Sequence, residues 1–218
     1  PASVQEMVDW VIRAFPLSEK YRNPVMLVGD GLLAQMMEPV DFENVENIPQ
    51  IDVEDWATTG CKDRPANLVN SLFLDPLELE KFNWELKAKY EAMEEEIVFE
   101  EYKMDDCEMF VVAYGTTSRV VRTAINTMRE EGYKIGMFRP ITIFPFPMKA
   151  LRAHAENPRT KSLAVVEMSN GQMLEDVKWA TLEKKPVGFF ARNGGIVPNP
   201  QETMEYLKKF YEENGGSK

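Results

Sequence analysis

The chain has 218 residues, of which 44% are hydrophobic, and it carries a net charge of −11 at pH 7. A surface this acidic repels phosphate backbones and anionic lipid, which argues against nucleic-acid or membrane partners. No apolar run approaches the ~20 residues a membrane span needs. Two widely separated cysteines, Cys61 and Cys107, and one histidine, His154, cannot make a Cys/His metal site alone. A soluble chain in a reduced, cytoplasmic setting is the expectation.

The chain opens PASVQEMVDWVIRAF. Ser3 and Glu6 have the spacing of a capping box, and Val4, Met7, Val8, Val11, Ile12 and Phe15 form an apolar helical stripe. A sequence that begins at a helix cap reads as a piece of a longer polypeptide, or as a trimmed terminus. Pro24 to Asp30 follows as a short strand of the buried type. It should complete a sheet whose other strands lie elsewhere. Gly29-Asp30-Gly31 either places a carboxylate at a functional edge or is an ordinary turn.

Residues 41–105 read as a connector. Its early part is rich in proline and acidic residues and shows no periodicity. Asp75-Pro76 then makes an N-cap with proline at the first helical position. Leu79, Phe82, Leu86, Tyr90, Met93 and Ile97 predict a helix of about 20 residues with a narrow apolar seam. That seam suits an arm packed on another domain or subunit, and Glu94-Glu95-Glu96 is a solvated face.

From Asp106 the pattern alternates. Met109 to Tyr114 reads as a strand buried on both faces, Gly115-Thr116-Thr117-Ser118 as a capping turn, and Val120 to Met128 as an amphipathic helix. Strands follow at 135–143, 162–168 and 186–190. Helices follow through Leu151 and Ala155, through Met173 to Ala180, and from Pro200 to Phe210. Four strands alternating with four helices predict a parallel, three-layer α/β domain over 106–218.

No Walker loop, dinucleotide fingerprint, nucleophile elbow or metal cluster is present. His154 reads as a surface histidine, and the two cysteines as ordinary thiols. Two loops could bind a ligand at the sheet's C-terminal edge. Gly115-Thr116-Thr117-Ser118 could hold an anion at a helix start, and Ser169-Asn170-Gly171-Gln172 is the second candidate loop; for both, the favoured reading is a strand-to-helix cap. Arg192 with Gly194-Gly195 could present a guanidinium to a carboxylate or phosphate, or simply pin a glycine-rich turn. An enzyme built on the Thr116 and Asn170 loops would lack a general base and a nucleophile.

These residues carry a resemblance. Arg22-Asn23-Pro24-Val25, Gly29-Asp30-Gly31 and Gln35-Met36-Met37-Glu38-Pro39-Val40 resemble the end of the pyrimidine-side domain in the alpha-type subunit of 2-oxoacid:ferredoxin oxidoreductases. Tyr114-Gly115, Ser118-Arg119, Phe138-Arg139-Pro140-Ile141-Thr142 and Pro145-Phe146-Pro147 resemble the transketolase C-terminal-like domain that follows it. Val166-Glu167-Met168-Ser169, Gly171-Gln172-Met173 and Arg192 with Gly194-Gly195 continue the match, which runs from about Ala2 to about Pro200.

The resemblance implies three parts: a remnant of a thiamine pyrimidine-binding-type domain at 1–40, the connector at 41–105 and the transketolase C-terminal-like domain at 106–218. It implies a complex that decarboxylates a 2-oxoacid on thiamine diphosphate, passes electrons through iron–sulfur clusters to ferredoxin and forms acyl-CoA. The implied partners are a thiamine-binding beta-type, a gamma-type and a ferredoxin-like delta-type subunit. The family's Tyr-Pro-Ile-Thr-Pro motif and its activating carboxylate do not occur in this sequence. No catalytic, cofactor-binding or metal residue is therefore assigned, and neither cofactor is expected to be held by this chain alone. The Ala57-Thr58-Thr59-Gly60 stretch, the Asp75-Pro76 helix and Phe138 to Pro147 look more like 2-oxoisovalerate members than 2-oxoglutarate ones. The alternative is a non-catalytic α/β binding or assembly module.

Overall fold

The computed structural model describes residues 1–43 and 55–216. The stretch 44–54 of the expected connector lies outside the described residues. The chain divides into two compact units, one of Pro1–Met7, Gly29–Pro39 and Glu96–Lys218, the other of Val8–Val28 and Val40–Glu95.

The first unit is built on a five-stranded sheet: β1 (Phe99–Tyr102), β2 (Met109–Val112), β3 (Ile135–Pro140), β4 (Ser162–Glu167) and β5 (Val187–Ala191). Their order is β1-β3-β2-β4-β5, and every pairing is parallel except β1 with β3. The helices α3 (Gly115–Glu130), α4 (Met148–Glu156), α5 (Gln172–Thr181) and α6 (Pro200–Glu213) link and flank the strands.

Strand alternation sends neighbouring residues to opposite faces, and each face has its own core. Met109, Val111, Ile135, Met137, Ala164 and Val166 pack with Val121, Ile125 and Met128 of α3 and Leu207 and Tyr211 of α6. Phe110, Val112, Phe138, Leu163 and Val165 pack with Leu151 and Ala155 of α4 and Met173, Val177 and Ala180 of α5. This is the three-layer α/β architecture expected from the alternating pattern.

Two expectations are corrected. Phe99–Tyr102, which the sequence pattern leaves in the connector, is an antiparallel edge strand. Its sequence, FEEY, has no strand-like hydrophobic run. It pairs because Glu100 sits opposite Arg139 and their side chains meet at 2.8 Å, while Phe99 stacks on Phe138 at 4.9 Å between ring centroids. Pro24–Asp30 is not a strand: it has no ladder partner among the described residues, and Met26 is 85% exposed. An extended segment becomes a strand only when a neighbour takes its N–H and C=O groups.

In the second unit, α1 (Val4–Tyr21, whose first turn belongs to the first unit) and α2 (Pro76–Ala92) are the α-helices among the described residues. Asp75 caps α2 by accepting from the Leu77 N–H at 2.8 Å. Arg22 stacks over the Trp56 ring at 3.2 Å, and the Tyr21 hydroxyl donates to the Ala92 carbonyl at 3.4 Å. No residue of α2 is buried, although Phe82 and Leu86 of its seam are half-covered.

A Cβ added at Gly136 in β3 would stand 2.6 Å from the Lys103 carbonyl oxygen, whereas one at Gly31 meets nothing within 4 Å. Gly136→Ala should therefore lower stability by about 1–3 kcal/mol through backbone displacement. Gly31→Ala should be near neutral, and urea unfolding midpoints of the two variants measure the difference.

Candidate functional site

In the strand order, β3 lies on one side of β2 and β4 on the other, so the connections leaving β2 and β4 diverge. Ligands of open α/β sheets sit in the crevice this divergence makes. The two loops singled out from sequence both lie here: Gly115 to Ser118, preceded by Tyr114, follows β2, and Ser169 to Gln172 follows β4. They touch, with the Tyr114 hydroxyl and Ser169 Oγ 3.5 Å apart.

Both helix starts are already filled by carboxylates of this chain. At α3, Asp30 Oδ2 accepts from the Thr116 N–H at 3.2 Å across 86 residues of sequence. Asp30 Oδ1 accepts from Leu33 N–H at 2.8 Å. Burial pushes the Asp30 carboxyl up, but the Leu33 and Thr116 donors together outweigh it, and it lies below the usual carboxylate range. The Thr116 hydroxyl is buried and makes no well-formed hydrogen bond, though it is close enough to stabilise the Asp30 charge. Gly115, at φ +54°, sits where a Cβ would stand 3.3 Å from Asp30 Oδ2; a left-handed backbone and a close carboxylate both favour glycine there.

At α5 the occupant is Glu167, the last residue of β4, which is 0% exposed. Its oxygens accept from Met173 N–H at 3.3 Å, from Leu174 N–H at 3.2 Å and from the Ser169 hydroxyl. A fully buried carboxylate is tolerated only when its lone pairs are met by such donors, and a helix N-terminus supplies them.

Arg192 is also satisfied internally. Its guanidinium grips Glu202 of α6 through two nitrogens, one at 3.2 Å, and this pairing raises its already high pKa. Glu202 in turn completes a capping box with Asn199. Of the two sequence readings, the pinned turn is the one realised here. Asn193 Nδ2 donates to Asn170 Oδ1 at 2.6 Å, which ties the β5 and β4 loops together.

His154 meets Glu101 at 2.7 Å and lies beside the Phe110 and Phe138 rings. Cys61 is exposed, and Cys107 is buried, its thiol pushed up to about 11 mainly by that burial. A thiol so raised is inert as a nucleophile at neutral pH.

Sequence reasoning missed the most heavily committed charge of the unit. Arg139, in β3 and 7% exposed, holds Glu6 through two parallel contacts at 2.8 and 2.9 Å and holds Glu100 with its Nε at 2.8 Å. Arg122 of α3 binds the other oxygen of Glu100 and stacks over Tyr102 at 4.1 Å. Removing one partner of so buried a pair costs about 3–5 kcal/mol. The signal available was an arginine inside an otherwise apolar strand, which has to be paired.

The chemistry of this donor set is hydrogen-bond capture of carboxylates, and the captured carboxylates are the chain's own. Among the described residues no three His, Cys, Asp or Glu side chains are placed to hold a metal ion. Nor do the residues at the switch point fit a diphosphate: the N–H groups of each helix start already meet a carboxyl group of this chain.

Two family models match the chain. Residues 1–106 match the one described as pyruvate flavodoxin/ferredoxin oxidoreductase, thiamine diP-binding, and residues 107–203 match pyruvate:ferredoxin oxidoreductase core domain II. The chain belongs to the 2-oxoacid:ferredoxin oxidoreductase family. It is 46% identical over its whole length to ketoisovalerate oxidoreductase subunit VorB of Methanothermobacter marburgensis, covering 60% of that protein. It is 30% identical to 2-oxoglutarate synthase subunit KorA of Methanothermobacter thermautotrophicus, with 96% of this chain and 62% of that one aligned. The chain thus spans about three-fifths of the length of these relatives. A 2-oxoglutarate:ferredoxin oxidoreductase from Magnetococcus marinus superposes with a TM-score of 0.79 at 18% identity, over 96% of this chain and 41% of that one, and so shares the fold.

Glu167→Ala would leave the Met173 and Leu174 N–H groups without their acceptor. A loss of about 1–3 kcal/mol is expected by urea unfolding, and a smaller loss for Glu167→Gln, which keeps an acceptor oxygen.

Proposed function

We propose that this chain is part of the alpha-type subunit of a 2-oxoacid:ferredoxin oxidoreductase, and that its own contribution is structural and interfacial. The complex would decarboxylate a branched-chain 2-oxoacid of the 2-oxoisovalerate type to its acyl-CoA and reduce ferredoxin. The higher identity to the ketoisovalerate subunit than to the 2-oxoglutarate one, 46% against 30%, supports that substrate class. Thiamine diphosphate and iron–sulfur clusters would be supplied within the complete complex. The residues described here do not fit either group, so no chemical step is routed through them.

The observation that carries this reading is the pair of filled helix starts. In an open α/β sheet the switch point is where a ligand is expected, and here Asp30 and Glu167 hold both positions. The region therefore works as a joint. Exposed aliphatic residues from Leu68 to Leu77, with Leu74 88% exposed, support a role in assembly with beta-, gamma- and delta-type subunits. The division into 1–40, 41–105 and 106–218, and a cytoplasmic location, belong to the same proposal. No helix among the described residues is long and apolar enough to cross a membrane.

The test is activity. The isolated chain should show no 2-oxoacid-dependent, coenzyme A-dependent ferredoxin reduction, and the complex assembled from the complete alpha-type subunit of which it is a part, with its partner subunits, should show it, with 2-oxoisovalerate preferred to 2-oxoglutarate. Turnover by the isolated chain, or an inactive assembled complex, would refute the proposal. Leu86→Asp, on the half-covered seam of α2, should impair assembly; an unchanged elution volume of the complex on gel filtration would count against that seam as an interface.

A further inference from the structure

The segment Gly29–Pro39 belongs to the sheet-bearing unit, yet among its residues only Leu33 is buried. It forms no strand and only a short 3-10 turn at Leu33–Gln35. Apart from buried Leu33 and a contact of Arg119 with the Met36 sulfur at 3.4 Å, its attachments are made by carboxylates near its two ends. Asp30 sits on the start of α3 through Thr116. Glu38 accepts from Arg119 of α3 at 2.7 Å and from the Val4 N–H at 3.0 Å. Beside it, the first turn of α1 is fastened by Glu6 to Arg139 of β3.

We propose that Gly29–Pro39, together with the first turn of α1, is an electrostatic strap that releases from the sheet domain in acid before the sheet itself opens. Three carboxylates, Glu6, Asp30 and Glu38, are its fasteners. The charged groups facing them are Arg139, with Glu100 and Arg122 beyond it, and Arg119. The sheet domain below is held differently, by two apolar cores whose strength does not depend on protonation.

The sign follows from linkage. Burial raises Glu6, but its hydrogen bonds to Arg139 and Ala2 and the Arg139 charge bring it below the ordinary range. Asp30 is likewise net lowered, and Glu38 is lowered chiefly by the Val4 N–H and Arg119. A carboxylate with a depressed folded pKa contributes stability above its unfolded value, near 4, and loses that contribution as pH falls through the folded value. All three fasteners thus weaken in the same direction, below about pH 4.

The experiment is hydrogen–deuterium exchange on the full-length protein at pH 7 and at pH 3.5, with rates corrected for intrinsic pH dependence. Protection in peptides covering 29–39 and 2–8 should fall at least ~10-fold in acid, while β2 and β4 peptides keep theirs. Asp30→Asn should lower protection of 29–39 already at pH 7 and show a smaller acid response. Arg139→Gln, which removes the partner of Glu6, should do the same for 2–8. Loss of protection in strap and sheet at the same pH would overturn the proposal, and so would a strap whose protection is unchanged in acid.

Discussion

A helix that starts at the C-terminal end of a parallel strand points several unpaired N–H groups, and the positive end of its dipole, at the crevice of the sheet. Something negative must meet them or water must. In this protein the constraint is met twice from within, by Asp30 at α3 and Glu167 at α5. The two solutions differ in reach. Glu167 is local, the last residue of the strand that precedes its helix. Asp30 comes from 86 residues away, so the α3 start also fixes where the Gly29–Pro39 segment lies.

That arrangement makes the sheet unit an acceptor for the chain's N-terminal end. Arg139 extends the same logic to a buried cation: inside β3 it would be costly alone, and Glu6 and Glu100 neutralise it from two different segments. At these positions charge joins separate parts of the polypeptide to one another. This accords with a proposed role at the joint between a cofactor-bearing half and a partner surface, with the chemistry placed elsewhere in the assembly.

Much of the fold was legible in the residues. The runs at Met109, Ile135, Ser162 and Val187 are short, apolar and rich in branched side chains, and each became a strand of the sheet, because a strand covered on both faces needs little else. Proline after an acid or amide marked the starts of α2 and α6. β1 was not legible: Phe-Glu-Glu-Tyr is an edge strand whose acids are explained only by Arg139, Arg122 and His154 across from them. Pro24 to Asp30 misled in the other direction, since local composition suits a strand but cannot supply a neighbour. The loops of the switch point were found from sequence. That they would be self-occupied was not, because Asp30 is a long-range cap and periodicity carries no information about residues so far apart. Glu167 was visible within its motif, but only burial reveals it as a cap.

The measurement that tests this account most directly is a phosphate titration of the full-length protein followed by amide NMR at Gly115, Thr116, Met173 and Leu174. If Asp30 and Glu167 hold the two helix starts, inorganic phosphate should leave these four resonances in place while Asp30→Ala makes the Gly115 and Thr116 signals respond. Saturable shifts at either helix start of the unaltered protein would show an open anion site at the switch point, and would contradict the reading of this region as a joint.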